Sequence, residues 1–170
     1  MFFRKEMANN PQIILKDRYQ VVPRTLILVF QGDKVLLQKG SATKKIWAGY
    51  YNGLGGHIER GEDALSAARR ELMEEAGLEC SDLHLCGTVM IDVEDNNGIL
   101  LFVMTGSEIQ GNINESDEGS LHWVRESDLS EVKVVEDIPE IVARILVDNS
   151  KIFHAHYGYD ENGTRITTLG

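Results

Sequence analysis

The chain has 170 residues, of which 42% are hydrophobic, a composition typical of one folded globular domain and unlike that of a disordered chain. Its formal net charge of −10 would repel a polyanion, which argues against broad binding of nucleic acid. No apolar run approaches the ~20 residues of a membrane helix and no signal peptide is recognisable, so we expect a cytoplasmic protein.

The N-terminal part of the chain predicts an arm followed by a hairpin. Residues 1–20 are polar and mixed, and we expect an arm or an edge strand there, ahead of a single domain over residues 21–170. Residues 25–30 are apolar and rich in β-formers, and residues 35–37 repeat that character after a Gln-Gly-Asp turn. This alternation of strand and turn signals predicts a β-hairpin.

A loop and a cluster of glycines come next. Residues 39–51 are rich in Gly, Lys and aromatic side chains, which is typical of a loop. Gly53, Gly55 and Gly56 then crowd the backbone. Glycine tolerates conformations and close contacts that other residues do not, so this cluster predicts either a tight bend or the close approach of a ligand.

The clearest helix is predicted over residues 62–76. Apolar residues at i, i+4 spacing form a narrow stripe along it: Ala64, Ala68, Leu72 and Ala76. Gly77 supplies the stop signal of a helix C-terminus.

The C-terminal half predicts the following elements: strands at 85–92 and 99–104 around a turn at 96–98, a short strand at 122–124, a helix at 139–147, and a hairpin of strands 151–159 and 165–169. That helix is expected to be amphipathic, with Ile141, Ile145 and Leu146 on one side. Cys80 and Cys86 lack the spacing of a zinc site and are expected to be reduced thiols. The elements together predict a mixed sheet with helices packed on it, an α/β or α+β domain.

Three carboxylates of the predicted helix stand at positions i, i+3 and i+4, so Glu71, Glu74 and Glu75 share one face. Like charges at this spacing destabilise an isolated helix. Solvent and nearby cations such as Arg69 or Arg70 could offset the repulsion. Hard metal ions, which prefer carboxylate oxygens, could do the same.

The full spacing around these glutamates is more specific than the charges alone. From Gly56 to Leu78 the chain fits GX5EX7REUXEEXGU, in which U is a bulky aliphatic residue. Seven fixed letters at ~7% each give a chance match on the order of 10⁻⁸ per start position. The sequence therefore resembles the Nudix hydrolase family, whose signature this is. The resemblance implies an α/β/α sandwich around a mixed sheet, and a loop–helix–loop that binds divalent cations and a diphosphate.

The resemblance also implies a set of site residues. Mg²⁺, with Mn²⁺ as the alternative cation, would be held by the Gly55 carbonyl, Glu71, Glu74, Glu75 and, at a distance along the chain, Glu118. Arg70 would hold a catalytic glutamate in place through an ion pair, and Glu62 would brace the loop. The general base is either Glu74 or Glu118, and the sequence does not decide between them.

Further stretches resemble the MutT-like branch of the family that hydrolyses oxidised purine nucleoside triphosphates: residues 51–56, 115–118 with Trp123, 153–154 and 168–169. By this likeness Asn52 reads the base, although asparagine is also a common turn residue. Glu136 and Asp137 fall where the branch places two purine-reading acids. Tyr51 would stack on the base, with Trp47 as the alternative, and Lys39 would contact a phosphate.

The function implied is the Mg²⁺-dependent hydrolysis of a nucleoside triphosphate, such as 8-oxo-dGTP, to a nucleoside monophosphate and pyrophosphate. Such an enzyme would cleanse the nucleotide pool and would act on a small nucleotide, without binding long nucleic acid or membrane. Two alternatives stay open: hydrolysis of another substrate such as ADP-ribose or a dinucleoside polyphosphate, and a non-catalytic nucleotide sensor. The sequence leaves the oligomeric state open.

Overall fold

The first two strands form the predicted hairpin. A computed structural model describes residues 17–42, 46–94, 96–114 and 119–170. Strand β1 (Gln20–Gln31) pairs antiparallel with β2 (Lys34–Gly40), and Phe30 faces Val35 across the hairpin. β1 begins at Gln20, within the segment expected to be an arm or an edge strand, because residues from Gln20 onward pair in parallel with a later strand.

Eight further strands and three helices follow in the ranges that the structure describes. The strands are β3 (Tyr51–Asn52), β4 (Leu78–Cys80), β5 (His84–Glu94), β6 (Asn97–Gly106), β7 (Ile109–Gly111), β8 (Gly119–Arg125), β9 (Phe153–Tyr159) and β10 (Arg165–Leu169). The helices are α1 (Ala64–Ala76), a 3₁₀ helix (Glu126–Glu131) and α2 (Ile138–Val147).

The predicted mixed sheet is confirmed. Its strand order is β10-β9-β5-β6-β1-β2-β3, with β8 also paired to β2. The pairs β1–β6 and β5–β9 are parallel, and the remaining pairs of this sheet are antiparallel. β4 and β7 form a separate two-stranded sheet, which the sequence did not predict, because each strand has only three residues.

Side chains of β1 alternate between two apolar cores. Ile27 and Val29 pack in a cluster with Leu72 of α1, whereas Leu28 packs in a second cluster with Ile141 of α2. Because one helix covers each face, residues 25–30 are buried without interruption. The result is the three-layer α/β/α arrangement that the sequence predicted.

Helix α1 begins two residues later than predicted. Asp63 occupies the N-cap, and its Oδ1 accepts hydrogen bonds from the backbone N–H groups of Leu65 (2.9 Å) and Ser66 (3.0 Å). The predicted stop at Gly77 is confirmed, since this residue has a φ of 67° and donates its N–H to the Met73 carbonyl at 2.9 Å.

The prediction for the second helix was wrong at one residue. In α2 the buried residues are Ile138, Ile141, Val142 and Ile145, whereas Leu146 is 43% exposed. Leu146 lies about 100° around the helix from Ile145, which places it beside the apolar stripe rather than in it.

Smaller differences concern turns and termini. Asn97 and Gly98 lie in β6 rather than in the predicted turn, and the C-terminal hairpin is present with its first strand starting at Phe153. Cys80 and Cys86 are buried and form no disulfide. No helix in the described ranges has the length and apolar character needed to cross a membrane.

Candidate active site

The glycine-rich loop docks against the backbone of β1. Leu54 exchanges two backbone hydrogen bonds with Ile27, at 2.8 and 3.2 Å, and the Gly56 carbonyl accepts from the Thr25 N–H at 2.9 Å. A Cβ at Gly55 would lie 2.3 Å from the Thr25 carbonyl oxygen, and Gly55 has a φ of 126°. Glycine is therefore required at position 55 because the loop backbone lies against the backbone of β1.

Two glutamates of α1 lie directly on this loop. The buried Glu75 accepts a hydrogen bond through Oε2 from the Gly55 N–H at 2.8 Å. Glu71 packs so closely on Gly56 that a Cβ there would lie 2.4 Å from its Oε1. The side chain of Glu74 is 60% exposed, so the three carboxylates share a helix face but differ in their surroundings.

Arg70 links the loop to the helix through several short hydrogen bonds. Its Nε and Nη2 donate to the two carboxylate oxygens of Glu62 at 2.7 and 3.0 Å. Nη1 donates to Glu71 at 2.9 Å and to Glu74 at 3.1 Å, and Nη2 also reaches the His57 carbonyl at 3.1 Å. These bonds raise the pKa of Arg70 above its usual value, and the bond that it donates to Glu62 makes the largest contribution. Arg70 thus offsets the repulsion between Glu71 and Glu74.

Glu62 connects Arg70 to the loop that precedes α1. Its Oε2 also accepts the backbone N–H of Glu59 at 3.0 Å. The hydrogen bonds from Arg70 and then from Glu59 lower the pKa of this carboxyl below its ordinary value. The loop between Gly56 and α1 is therefore held to the helix by charge-assisted hydrogen bonds, which are stronger than neutral ones.

The donor chemistry at this place fits a hard divalent cation. Glu71, Glu74 and Glu75 supply carboxylate oxygens, and Mg²⁺ commonly binds through only one or two carboxylates while keeping several waters. In the part of the chain that the structure describes, no group of three Asp, Glu, His or Cys side chains lies close enough together to hold a metal ion. Glu71 and Glu74 instead form ion pairs with Arg70. Glu118, the further ligand expected from the sequence, lies outside the described residues.

A cleft of about 710 Å³ runs across the sheet, and of the three helix glutamates Glu75 lines it. Gly55, Gly56 and Glu75 line one side of it, which we call the glutamate end. Asp137, Tyr157 and Arg165 line the other, which we call the Arg165 end. In the sheet order β6 and β5 lie between β1, against which the glycine loop docks, and β9, which carries Tyr157. The cleft therefore extends across several strands of the sheet.

The structure separates the predicted substrate residues into two groups. Asn52 and Trp47 line the cleft, and the Asn52 Oδ1 accepts the Gly53 N–H at 2.9 Å. Trp47 has a φ of 64°, an uncommon value for a residue other than glycine, and its ring meets Tyr50 edge-on with the centroids 5.4 Å apart.

Tyr51 and Lys39 belong to the second group and are not among the residues that line the cleft. They are paired across β2 and β3, and the Lys39 Nζ lies 5.6 Å from the centre of the Tyr51 ring. Tyr51 packs on the core beneath α2 and meets His122 edge-on. Strand side chains alternate between faces, so Asn52 at the cleft places its neighbour Tyr51 on the opposite side.

Glu136 and Asp137, the two acids expected to read a base, both line the cleft. Asp137 precedes the first residue of α2, and burial raises the pKa of its carboxyl. Burial, and then the nearby Asp137 charge, raise the pKa of Tyr157 to about 12. The sequence predicted neither Tyr157 nor Arg165 at this site, because only the pairing of β9 with β5 carries their hairpin to the cleft.

Comparisons with known proteins identify the family of the chain. A sequence model of the NUDIX domain matches residues 21–145. Over 100 residues the chain is 36% identical to the oxidized purine nucleoside triphosphate hydrolase of Danio rerio and 33% identical to that of Mus musculus. Each match covers 58% of this chain and 63% of the relative, so it spans less than two thirds of the relatives' length.

Solved structures show the same fold. A MutT protein from Bacillus halodurans superposes with a TM-score of 0.75, covering 88% of this chain and 97% of that chain at 22% identity. A MutT protein from Methanosarcina mazei superposes with a TM-score of 0.66, covering 79% of this chain and 99% of that chain at 19% identity.

Proposed function

The chain belongs to the NUDIX domain family, and from that premise we propose that it hydrolyses nucleoside triphosphates to nucleoside monophosphates and pyrophosphate, using a divalent cation. One observation carries the proposal. The hydrogen bond from Gly55 to Glu75 seats the acidic face of α1 on the glycine loop, at one end of the cleft. An acidic face suited to cations and a cleft suited to a nucleotide thus adjoin.

At the glutamate end the chain's own residues have distinct tasks. Glu71, Glu74 and Glu75 would hold Mg²⁺, or alternatively Mn²⁺, which when bound neutralises phosphate charge and makes a water more acidic. Arg70 orients Glu71 and Glu74 through its hydrogen bonds. Glu74 is our candidate for the general base, because its exposed carboxylate is accessible to a water molecule.

The rest of the cleft would hold the nucleoside. Asn52, Glu136 and Asp137 line it and offer hydrogen-bond donors and acceptors, which a purine edge requires. The names of the two vertebrate relatives support an oxidised purine nucleoside triphosphate, such as 8-oxo-dGTP, as the substrate. The proposal treats residues 21–170 as one functional domain, since the C-terminal hairpin contributes to the cleft wall.

A substrate panel tests the proposal. The full chain is incubated with Mg²⁺ and each of the normal and 8-oxidised purine nucleoside triphosphates, and pyrophosphate and monophosphate are quantified. ADP-ribose and a dinucleoside polyphosphate are assayed in parallel, and a chelator serves as the control for cation dependence. We expect pyrophosphate release that the chelator abolishes. The proposal fails if no triphosphate releases pyrophosphate, or if ADP-ribose is hydrolysed with the highest kcat/KM.

A further inference from the structure

A largely buried arginine lies at the end of the cleft far from the glutamates. Arg165 is the first residue of β10, and only 13% of its side chain is exposed. Its guanidinium carbon lies 4.7 Å from the centre of the Tyr157 ring, and Tyr157 is itself buried. This cation–π contact holds the guanidinium against the ring.

The acidic partners of Arg165 are distant. Its Nε lies 3.8 Å from an oxygen of Glu136, and its Nη2 lies 3.5 Å from an oxygen of Glu140. Charge-assisted hydrogen bonds of this type are normally 2.7–2.9 Å long, and among the described residues this guanidinium makes no closer ion pair. By contrast, the bonds of Arg70 at the glutamate end measure 2.7 to 3.1 Å.

Loose pairing leaves the donors of Arg165 available to a ligand. A guanidinium carries five N–H donors and no acceptor. Burying such a group without close partners costs free energy, and a ligand that supplies acceptors recovers it. Since Arg165 lines the cleft, its donors are accessible to whatever occupies that end.

We infer that Arg165 is a specificity-determining residue that donates hydrogen bonds to the base of the nucleotide. This inference rests on the proposed function. A purine with a carbonyl at position 6 presents an acceptor to the guanidinium; in guanine and hypoxanthine N7 adds a second acceptor beside it, whereas in 8-oxoguanine N7 carries a hydrogen and O6 is the acceptor. Adenine carries an amino donor at position 6, which a donor-only group does not match. Arg165 therefore favours 6-oxopurines over 6-aminopurines.

The nearby acids fit the same role. Asp137 lies close enough to Arg165 for the guanidinium charge to act on its carboxyl, and it lines the same end of the cleft. A carboxylate accepts hydrogen bonds from N–H groups, so a base with a carbonyl next to an N–H meets a complementary pair. The family match ends at residue 145, so it assigns no role to Arg165.

The test compares two arginine variants. Arg165→Met keeps an unbranched side chain that can lie on Tyr157 but removes every donor. Arg144→Met is the matched control, because Arg144 also contacts Glu140 and an aromatic ring, that of Phe153, yet does not line the cleft. Calorimetry measures the Kd of GMP, IMP and AMP for both variants and the unmodified protein, and kcat/KM is measured with dGTP and dATP.

We expect the preference for 6-oxopurines to fall roughly 10- to 100-fold in Arg165→Met, the range that a good bidentate contact discriminates. The change should appear in Kd and KM while kcat is retained, and Arg144→Met should keep the original preference. Arg165→Lys should keep part of it, since lysine retains a charge without the planar fork. Should Arg165→Met fail to fold, Arg165→Lys decides by the same ratio.

An unchanged base ratio in Arg165→Met or Arg165→Lys overturns the inference, as does an equal loss of affinity for all three monophosphates, which indicates a purely structural role. These outcomes differ from failure of the proposed function. If the unmodified protein releases no pyrophosphate from any triphosphate, the hydrolase proposal fails, and the calorimetric ratio still tests Arg165 as a base-binding residue.

Discussion

The two ends of the cleft are built in different ways. The glutamate end and its braces come from one contiguous stretch, from Gly55 to Glu75, joined by hydrogen bonds of 2.7 to 3.1 Å. The Arg165 end is assembled from α2, β9 and β10, and its ion pairs measure 3.5 and 3.8 Å. The short hydrogen bonds of the glutamate end hold its side chains in one arrangement before a ligand binds. The longer ion pairs of the Arg165 end leave its side chains able to adjust to a ligand.

If the glutamate end performs the chemistry, its carboxylates should show the largest effects. Glutamine at position 75 can still accept the Gly55 N–H through its carbonyl, and glutamine at position 74 has the same size as the exposed glutamate. We therefore expect Glu74→Gln and Glu75→Gln to keep their thermal unfolding midpoints, while Glu74→Gln lowers kcat by roughly 10²- to 10⁴-fold through loss of the general base. Steady-state kinetics at saturating Mg²⁺ measures this effect.

The control for these carboxylates is Glu79→Gln, an exposed residue of β4 outside the cleft lining, which should retain full kcat. Near-normal turnover in both Glu74→Gln and Glu75→Gln would show that the glutamate end is not the catalytic site.

Arg70 should come next in size. Arg70→Met removes the hydrogen bonds that orient Glu71 and Glu74, and a misplacement of about 1 Å can cost on the order of 10²-fold in rate. We expect a fall in kcat of that order and a higher Mg²⁺ concentration for half-maximal activity. Arg69→Met, the exposed neighbour one residue earlier, is the control. Equal kinetics in the two variants would show that Arg70 acts only as a surface ion pair.

A smaller effect tests the packing of Glu71 on the loop. A Cβ at Gly56 would lie 2.4 Å from the Glu71 Oε1, so Gly56→Ala must displace that carboxylate. We expect kcat to fall roughly 10- to 100-fold, because the carboxylate moves by about 1 Å. Gly158→Ala is the control, since a Cβ at Gly158 meets no atom closer than 3.5 Å and the residue is outside the cleft lining. The idea is contradicted if Gly158→Ala lowers kcat as much as Gly56→Ala.

The smallest effect is expected at the Arg165 end, in stability rather than turnover. Burial raises the pKa of Asp137, so the folded state binds its proton more tightly than the unfolded state does. The ionised form therefore destabilises the fold at neutral pH, and this cost disappears as the pH falls through the folded-state pKa. We expect Asp137→Asn to unfold at a higher temperature at pH 7.

Thermal unfolding measured at several pH values tests this expectation. The advantage of Asp137→Asn should shrink as the pH is lowered, because the unmodified residue becomes protonated and neutral. Glu136→Gln, whose exposed side chain lies at the preceding position, is the control and should show little pH-dependent difference. A constant difference between Asp137→Asn and the unmodified protein at all pH values would contradict the argument.

Local patterns predicted much of the fold. The hairpin of β1 and β2, helix α1 and its stop at Gly77 follow from turn chemistry and apolar period, which act over a few residues. The start of α1 was misplaced because Asp63, a preferred N-cap residue, starts the helix after itself and leaves Glu62 in the preceding loop. β4 and β7 escaped prediction because three residues carry too little pattern.

The sequence by itself determined the arrangement at the glutamate end, since the spacing of Glu71, Glu74 and Glu75 becomes one helix face through the fixed rotation of an α-helix. Only the tertiary structure decided the other end. Strand pairing across distant segments carries Arg165 and Tyr157 to the cleft, and the alternation of β3 turns Tyr51 away from it while Asn52 lines it. Such contacts depend on sheet order and register, which no local pattern in the chain specifies.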